Sequence, residues 1–207
     1  MENQADIWDR LYSQNLALKK ETATLPKLLK GKSVLEVGVG NGKTLISILR
    51  QNPKSVLAID FSQEALNSAS KLVKSEKLEF LKADITQLPF KEEFDVIVCY
   101  YTLNNLLEQD RKKAINSIYN ALKEKGKIIF EDFAVGDFRE RKTSRKQIET
   151  HTITKENRLI CHFFTKSELL SLFNKFSKIQ LTKKSSLPIT KKPHLKRNII
   201  SGIIVKS

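Results

Sequence analysis

Short apolar runs alternate with helix-period segments along most of the chain. SVLEVGV (33–39) reads as a buried strand and TLISILRQ (44–51) as the helix after it. SVLAID (55–60) is a second strand, and SQEALNSASKLVKS (62–75) a helix with Ser62 at its cap and Glu64 in its first turn. LEFLKADI (78–85) and FDVIVCYY (94–101) are the third and fourth strands. DRKKAINSIYNALK (110–123) is a helix ending at Gly126, and KIIFEDF (127–133) the fifth strand. Apolar strands without strict polar alternation, separated by helices, predict an α/β fold with helices on both faces of a parallel sheet.

After Phe133 the rhythm breaks. GDFRERKTSRKQIET is a polar, basic excursion, and TKSELLSLFNKF (165–176) a helix capped by Thr165, with Glu168 completing a capping box. SKIQLTKK and RNIISGIIVKS read as two final strands joined by a basic loop containing Pro188 and Pro193. The first thirty residues hold helical segments with Trp8 and Tyr12 on a common face. With 207 residues, the chain is expected to be one domain with a sizeable core. Residues 1–30 would be its helical cap, and 134–163 and 183–197 its two basic excursions.

Charge adds a partner class to this picture. Thirty-seven Lys and Arg against 23 Asp and Glu leave a net +14, which favours a polyanion such as RNA. Cys99 and Cys161 make neither a disulfide framework nor a metal-ligand pattern, so no metal is expected and the compartment reads as reducing and cytoplasmic. No run reaches the roughly 18 apolar residues of a membrane span, and the N-terminus lacks the pattern of a signal peptide.

The chemistry concentrates in VLEVGVGNGKT, Val34 to Thr44. Gly42-Lys43-Thr44 imitates the end of a phosphate-binding P-loop, but the required first glycine would fall on Val37. The dinucleotide pattern G-x-G-x-x-G fails too, since its third glycine would be Lys43. What remains is G-x-G-x-G with Glu36 two residues before it, and Asp60 ending the next strand, 22 residues beyond Gly38. Asp60 is placed to accept both hydroxyl hydrogens of a ribose, while Glu36 suits a cationic group better than a pyrophosphate. The implied ligand has an adenosine, no phosphates and a positive end, which describes S-adenosylmethionine.

Residues 31–133 resemble the class I S-adenosylmethionine-dependent methyltransferases. V-L-E-V-G-V-G-N-G is similar to their first motif, A-I-D-F-S (58–62) to their second, and K-A-D-I-T-Q-L-P-F (82–90) to their third. F-D-V-I-V-C-Y-Y-T-L-N-N-L (94–106) and L-K-E-K-G-K-I-I-F-E-D (122–132) follow in the same order. The resemblance implies a seven-stranded sheet of order 3-2-1-4-5-7-6 with strand seven antiparallel. It also implies cofactor contacts at Glu36, Gly38, Gly40, Asn41, Asp60, Phe61, Asp84, Ile85 and Cys99, with Asp84 and Ile85 at the adenine.

Loops at the carboxyl ends of strands four and five should hold the acceptor. They offer Tyr100, Tyr101, Thr102, Asn104 and Asn105 after strand four, then Glu131, Asp132 and Phe133 after strand five. Tyr100 and Tyr101 suit stacking on a base or simple packing. F-E-D-F-A (130–134) and C-H-F-F-T-K-S-E-L-L-S-L-F (161–173) resemble the tail of the tRNA 3-methylcytidine methyltransferases. That resemblance implies tRNA as substrate, attack by cytosine N3, and Asp132 holding the base, with Tyr100 beside it. DNA is not expected. RERKTSRK (139–146) and KKSSLPITKKPHLKR (183–197) should flank the acceptor mouth, with Lys183, Lys184, Lys191 and Lys192 following a phosphate backbone. A small-molecule acceptor, a protein acceptor and a non-enzymatic cofactor-binding subunit stay open, as does a partner subunit supplying further RNA-binding surface.

Overall fold

The computed structural model describes residues 4–14, 24–140, 146–154, 158–189 and 192–207. The chain runs α1 (Gln4–Ser13), β1 (Ser33–Val37), α2 (Lys43–Leu49), β2 (Ser55–Asp60), α3 (Gln63–Leu72), β3 (Leu78–Lys82), β4 (Phe94–Tyr100) and α4 (Glu108–Ala121). It continues with β5 (Leu122–Phe133), β6 (Lys146–Glu149), β7 (Thr152–Thr154), β8 (Ile160–His162), α5 (Lys166–Leu172), β9 (Lys178–Ile189) and β10 (Lys192–Val205). Short 3-10 turns cover Ile85–Gln87 and Leu103–Asn105.

Seven strands form one sheet in the order β3-β2-β1-β4-β5-β10-β9. The first five pair in parallel, and β10 runs antiparallel to both β5 and β9. Counted within this sheet alone, the order is the expected 3-2-1-4-5-7-6 with the last strand reversed. β6, β7 and β8 make a separate three-stranded antiparallel sheet, which is the form the excursion after β5 takes.

Each face of the main sheet has its own core. On one side Leu35, Ile97, Ile128 and Phe130 meet Ala114, Ile115 and Ile118 of α4 and Leu169 of α5. On the other Val34, Val56, Val96, Val98 and Ile129 meet Leu45 and Ile48 of α2 and Leu66 and Ala69 of α3. Apolar residues on both faces explain why these strands lack polar alternation. α1 adds Ile7 and Leu11, which pack with Leu159 just before β8.

Two local expectations need correction. The basic stretch 183–197 is not a simple loop: β9 extends to Ile189 and β10 starts at Lys192, so most of it is a two-stranded ribbon. Its prolines are tolerated because the ribbon has open edges and an irregular register. Pro188 pairs with Lys196, and Pro193 lies in the register shift between Lys192 and Lys196. Lys191 lies outside the described residues. The capping box at α5 is half formed. Thr165 accepts the Glu168 N–H at 3.1 Å, but the Glu168 carboxylate turns instead to His162 at 2.9 Å and Arg111 at 3.7 Å. A cationic partner outcompetes a backbone N–H for an ionised carboxylate. Among the described residues no helix is long and apolar enough to cross a membrane, and no cluster of His, Cys, Asp or Glu could hold a metal.

Candidate active site

At the carboxyl end of β1 the chain turns through Gly38, Gly40 and Gly42 at φ 68°, 56° and 77°. These are left-handed values that glycine adopts without strain. Asp60, at the end of β2, locks that turn: its Oδ2 accepts the Gly40 N–H at 3.0 Å and its Oδ1 the Ser62 N–H at 3.0 Å. Ser62 Oγ in turn accepts the Ala65 N–H at 3.0 Å and so caps α3. Gly42 has a packing reason, since a Cβ there would lie 3.0 Å from the Ala69 backbone of α3. The Gly-Lys-Thr triplet therefore serves helix packing and not a phosphate.

Gly38 is the tightest point, because a Cβ there would overlap the Thr102 side chain. The Thr102 hydroxyl is held by the Val37 carbonyl at 3.0 Å and the Tyr100 carbonyl at 3.1 Å, so it cannot swing away cheaply. We expect Gly38→Ala to lower cofactor affinity at least tenfold, by titration calorimetry, since left-handed strain and the overlap both deform the turn. Unchanged affinity would show that the turn does not touch the cofactor.

A cavity of about 490 Å³ opens above this turn, walled by Gly38, Gly40, Asp60, Phe61, Asp84, Ile85 and Tyr101. Trp8 and Tyr12 of α1, Gln87, Thr102, Asn105, Lys113 and Ile160 also line it. Asp84 Oδ1 accepts both the N–H and the hydroxyl of Thr86 at 2.8 Å, capping the 3-10 turn that carries Ile85. Three tyrosines around the site hold their protons more tightly than usual. Burial, then the Asp60 charge, raises the Tyr12 pKa. Burial, then Glu131, does the same at Tyr100 and Tyr101. At neutral pH none of them is a phenolate base.

Several expected site residues are not among those that line this cavity. Glu36 is buried on β1, Cys99 is buried in the core beside β1, and Asn41 Oδ1 lies 3.5 Å from the Lys43 N–H; none of the three lines the cavity. Tyr100 is buried against the other core. Asp132 is wholly buried, accepting the Asn104 N–H at 3.1 Å, the Asn104 side-chain amide at 2.6 Å and the Phe133 N–H at 2.8 Å. In this arrangement it fixes the loop after β4, and Asn104 is its partner. Tyr101 does line the cavity, at φ 52°, a strained value for a bulky residue. Its hydroxyl donates to Glu131 at 2.5 Å, and its ring lies 4.9 Å from that of Phe133. Lys183 and Lys184 are exposed on β9.

A second cavity, about 720 Å³, lies between α4, α5 and β6, lined by Arg111, Glu149, His162 and Glu168. Arg111 is paired there with Glu149 at 3.4 Å, and His162 Nε2 is hydrogen-bonded to Glu168 at 2.9 Å. The glycine turn does not reach it.

Residues 34–126 match the family model described as a methyltransferase domain. The match covers somewhat less than half of the chain. That match ends inside β5, so it covers the cofactor half of the sheet. The whole fold superposes on a SAM-dependent methyltransferase from Methanosarcina mazei with TM-score 0.75 at 23% identity, covering 87% of this chain and 94% of that one. In sequence the chain is similar to a tRNA N(3)-methylcytidine methyltransferase of Schizosaccharomyces pombe, 26% identical over 196 residues, which is 83% of this chain and 64% of that protein. It is also similar to a demethylmenaquinone methyltransferase of Chlamydia caviae, 30% identical over 122 residues, 58% of this chain and 47% of that protein. The chain thus spans less than two thirds of these curated relatives.

The cofactor of such a domain is S-adenosylmethionine, and the cavity fits it. The glycine turn leaves a cradle that a side chain would fill, and the Asp60 carboxylate, an acceptor with about four lone-pair sites, lines the same cavity. The resemblance pointed to Gly38, Gly40, Asp60, Phe61, Asp84 and Ile85, and all six meet at this cavity. Thr102 and Asn105, expected at the acceptor side, also line it, whereas Trp8 and Tyr12 were not singled out for it. For Trp8 and Tyr12 the shared helical face was the available signal.

Proposed function

We propose that this chain transfers a methyl group from S-adenosylmethionine to a base in RNA, with tRNA as the substrate class. The carrying observation is where the basic ribbon sits. Ile200 of β10 pairs with both Asp132 of β5 and Lys183 of β9, so Lys183 lies two strand spacings, roughly 10 Å, from the carboxyl end of β5. Lys184 follows it, and Lys196 returns on β10. Exposed cations along a ribbon at the acceptor edge suit a phosphate backbone. The similarity to the tRNA N(3)-methylcytidine enzyme supports this reading, because at 83% of the chain it extends well beyond the residues 34–126 of the general methyltransferase match.

Bound S-adenosylmethionine supplies an electrophilic methyl on a sulfonium. The protein's share is to orient the acceptor in line with that methyl and to exclude water. A ring nitrogen with a free lone pair needs no deprotonation before attack, which agrees with tyrosines that keep their protons. A small-molecule acceptor is the second reading, favoured by the demethylmenaquinone relative; that match covers 58% of this chain.

Methyl-labelled cofactor offered with a cell extract, then split into RNA, protein and metabolite fractions, tests the proposal. Label in RNA of tRNA size is expected, and label confined to another fraction overturns it. Charge reversal at Lys183 and Lys184 should weaken RNA binding at least tenfold at low salt and flatten its salt dependence, with cofactor affinity unchanged. Turnover on RNA indifferent to that double change would remove the ribbon from the argument.

A further inference from the structure

We propose that Trp8 is a cofactor-binding residue whose indole N–H donates to the methionyl carboxylate of S-adenosylmethionine. α1 is then the fourth wall of the site. The proposal concerns the cofactor side alone and holds whichever acceptor is methylated.

α1 is fastened at both ends. The Gln4 side-chain amide donates to the Arg158 carbonyl at 3.2 Å, and its oxygen accepts the Ile160 N–H at 3.5 Å. Near the other end Asp9 Oδ1 accepts the Ser62 hydroxyl at 2.5 Å and the Glu64 N–H at 3.1 Å. The latter bond uses one of the N–H groups that the start of α3 leaves unsatisfied, where a carboxylate is favoured. Tyr12 lines the same cavity as Asp60. The helix therefore spans the cavity from Ile160 to the ribose acid, with Trp8 between, one turn before Tyr12 and 5.8 Å from its ring.

Trp8 lines this cavity, yet its Nε1 is buried with no hydrogen-bond partner among the described residues. A buried indole N–H without an acceptor is costly, so the site asks for one. The cofactor's parts narrow the choice. The adenine belongs at the Asp84 and Ile85 turn and the ribose at Asp60, which leaves the amino-acid tail for the Ile160 side of the cavity. The carboxylate of that tail needs donors. Among the described residues of the wall the sole cation is Lys113, already paired with Asp110 at 2.9 Å on α4. α4 packs against the 3-10 turn of Ile85–Gln87, at the adenine end. Trp8 is the unassigned donor at the other end, and an N–H to a carboxylate is a strong, charge-assisted bond.

The test uses the intact protein and two probes, S-adenosylhomocysteine and 5′-methylthioadenosine, which share the thioether nucleoside but differ in the amino-acid tail. By titration calorimetry, Trp8→Phe should weaken S-adenosylhomocysteine about tenfold or more and change 5′-methylthioadenosine less than twofold. Equal losses for both probes, or no loss for either, overturn the proposal. Trp8 is the sole tryptophan of the chain, so a second measurement needs no variant. In the wild-type protein, saturating S-adenosylhomocysteine should shift the indole emission, and saturating 5′-methylthioadenosine should shift it much less. Identical spectra with the two probes count against the carboxylate contact.

Discussion

Asp60→Ala is expected to lower S-adenosylmethionine affinity by two to three orders of magnitude, on the order of 3–4 kcal/mol, from two lost hydrogen bonds to a charged group. The loss has two sources. The ribose hydroxyls lose their acceptor, and the Gly40 and Ser62 N–H groups lose the carboxylate that shapes the turn. Titration calorimetry with S-adenosylhomocysteine and with adenosine separates the two. If adenosine binding falls as far as that of the full cofactor, the ribose end is the locus. Affinity within a factor of three of wild type would remove Asp60 from the cofactor site altogether.

Asp132→Ala should act on stability. The carboxylate is fully buried and takes three N–H donors, two from Asn104 and one from Phe133. Its removal strands all three in a space closed to water, at a cost of about 1–3 kcal/mol for each donor left unpaired. A total near 3–5 kcal/mol, read as a lower midpoint in urea unfolding, is the expected result. If Asp132 instead holds the acceptor base, as its motif implies, the variant would keep its midpoint and lose turnover. Measured together, stability and methyl transfer decide between the two roles. Asp132→Asn helps little with folding, since its new amide would face the donors that the carboxylate accepts.

Legibility in the sequence followed the distance over which each feature is determined. The glycine turn and Asp60 could be read because they sit on consecutive strands, and parallel pairing of β1 with β2 fixes their relation. The strand order was also readable, from motifs at familiar spacings. Asp132 was visible as an acid after β5, but its burial depends on Asn104, 28 positions away, and on a turn that no periodicity announces. Trp8 belongs to the cavity through Asp9, which reaches 53 positions along the chain to Ser62. Nothing local in DIWDRLY marks that contact. The ribbon of β9 and β10 was misjudged for a different reason. Lysine, serine and proline are loop residues by propensity, yet a ribbon whose outer strand, β9, is the edge of the sheet accepts them.

The place of β10 between β5 and β9 also sets an order of assembly. During synthesis β9 leaves the ribosome ahead of β10, its neighbour in the sheet. Until β10 follows, the edge of β5 is bare and β9 has no seat. A bare parallel edge of Ile128, Ile129 and Phe130 is a template for other chains. The cofactor half can close early, from β1 to β5, whereas the basic half forms last and all at once. A cell that stalls translation within residues 190–205 would therefore hold a folded cofactor module with an adhesive flank, a natural client for chaperones.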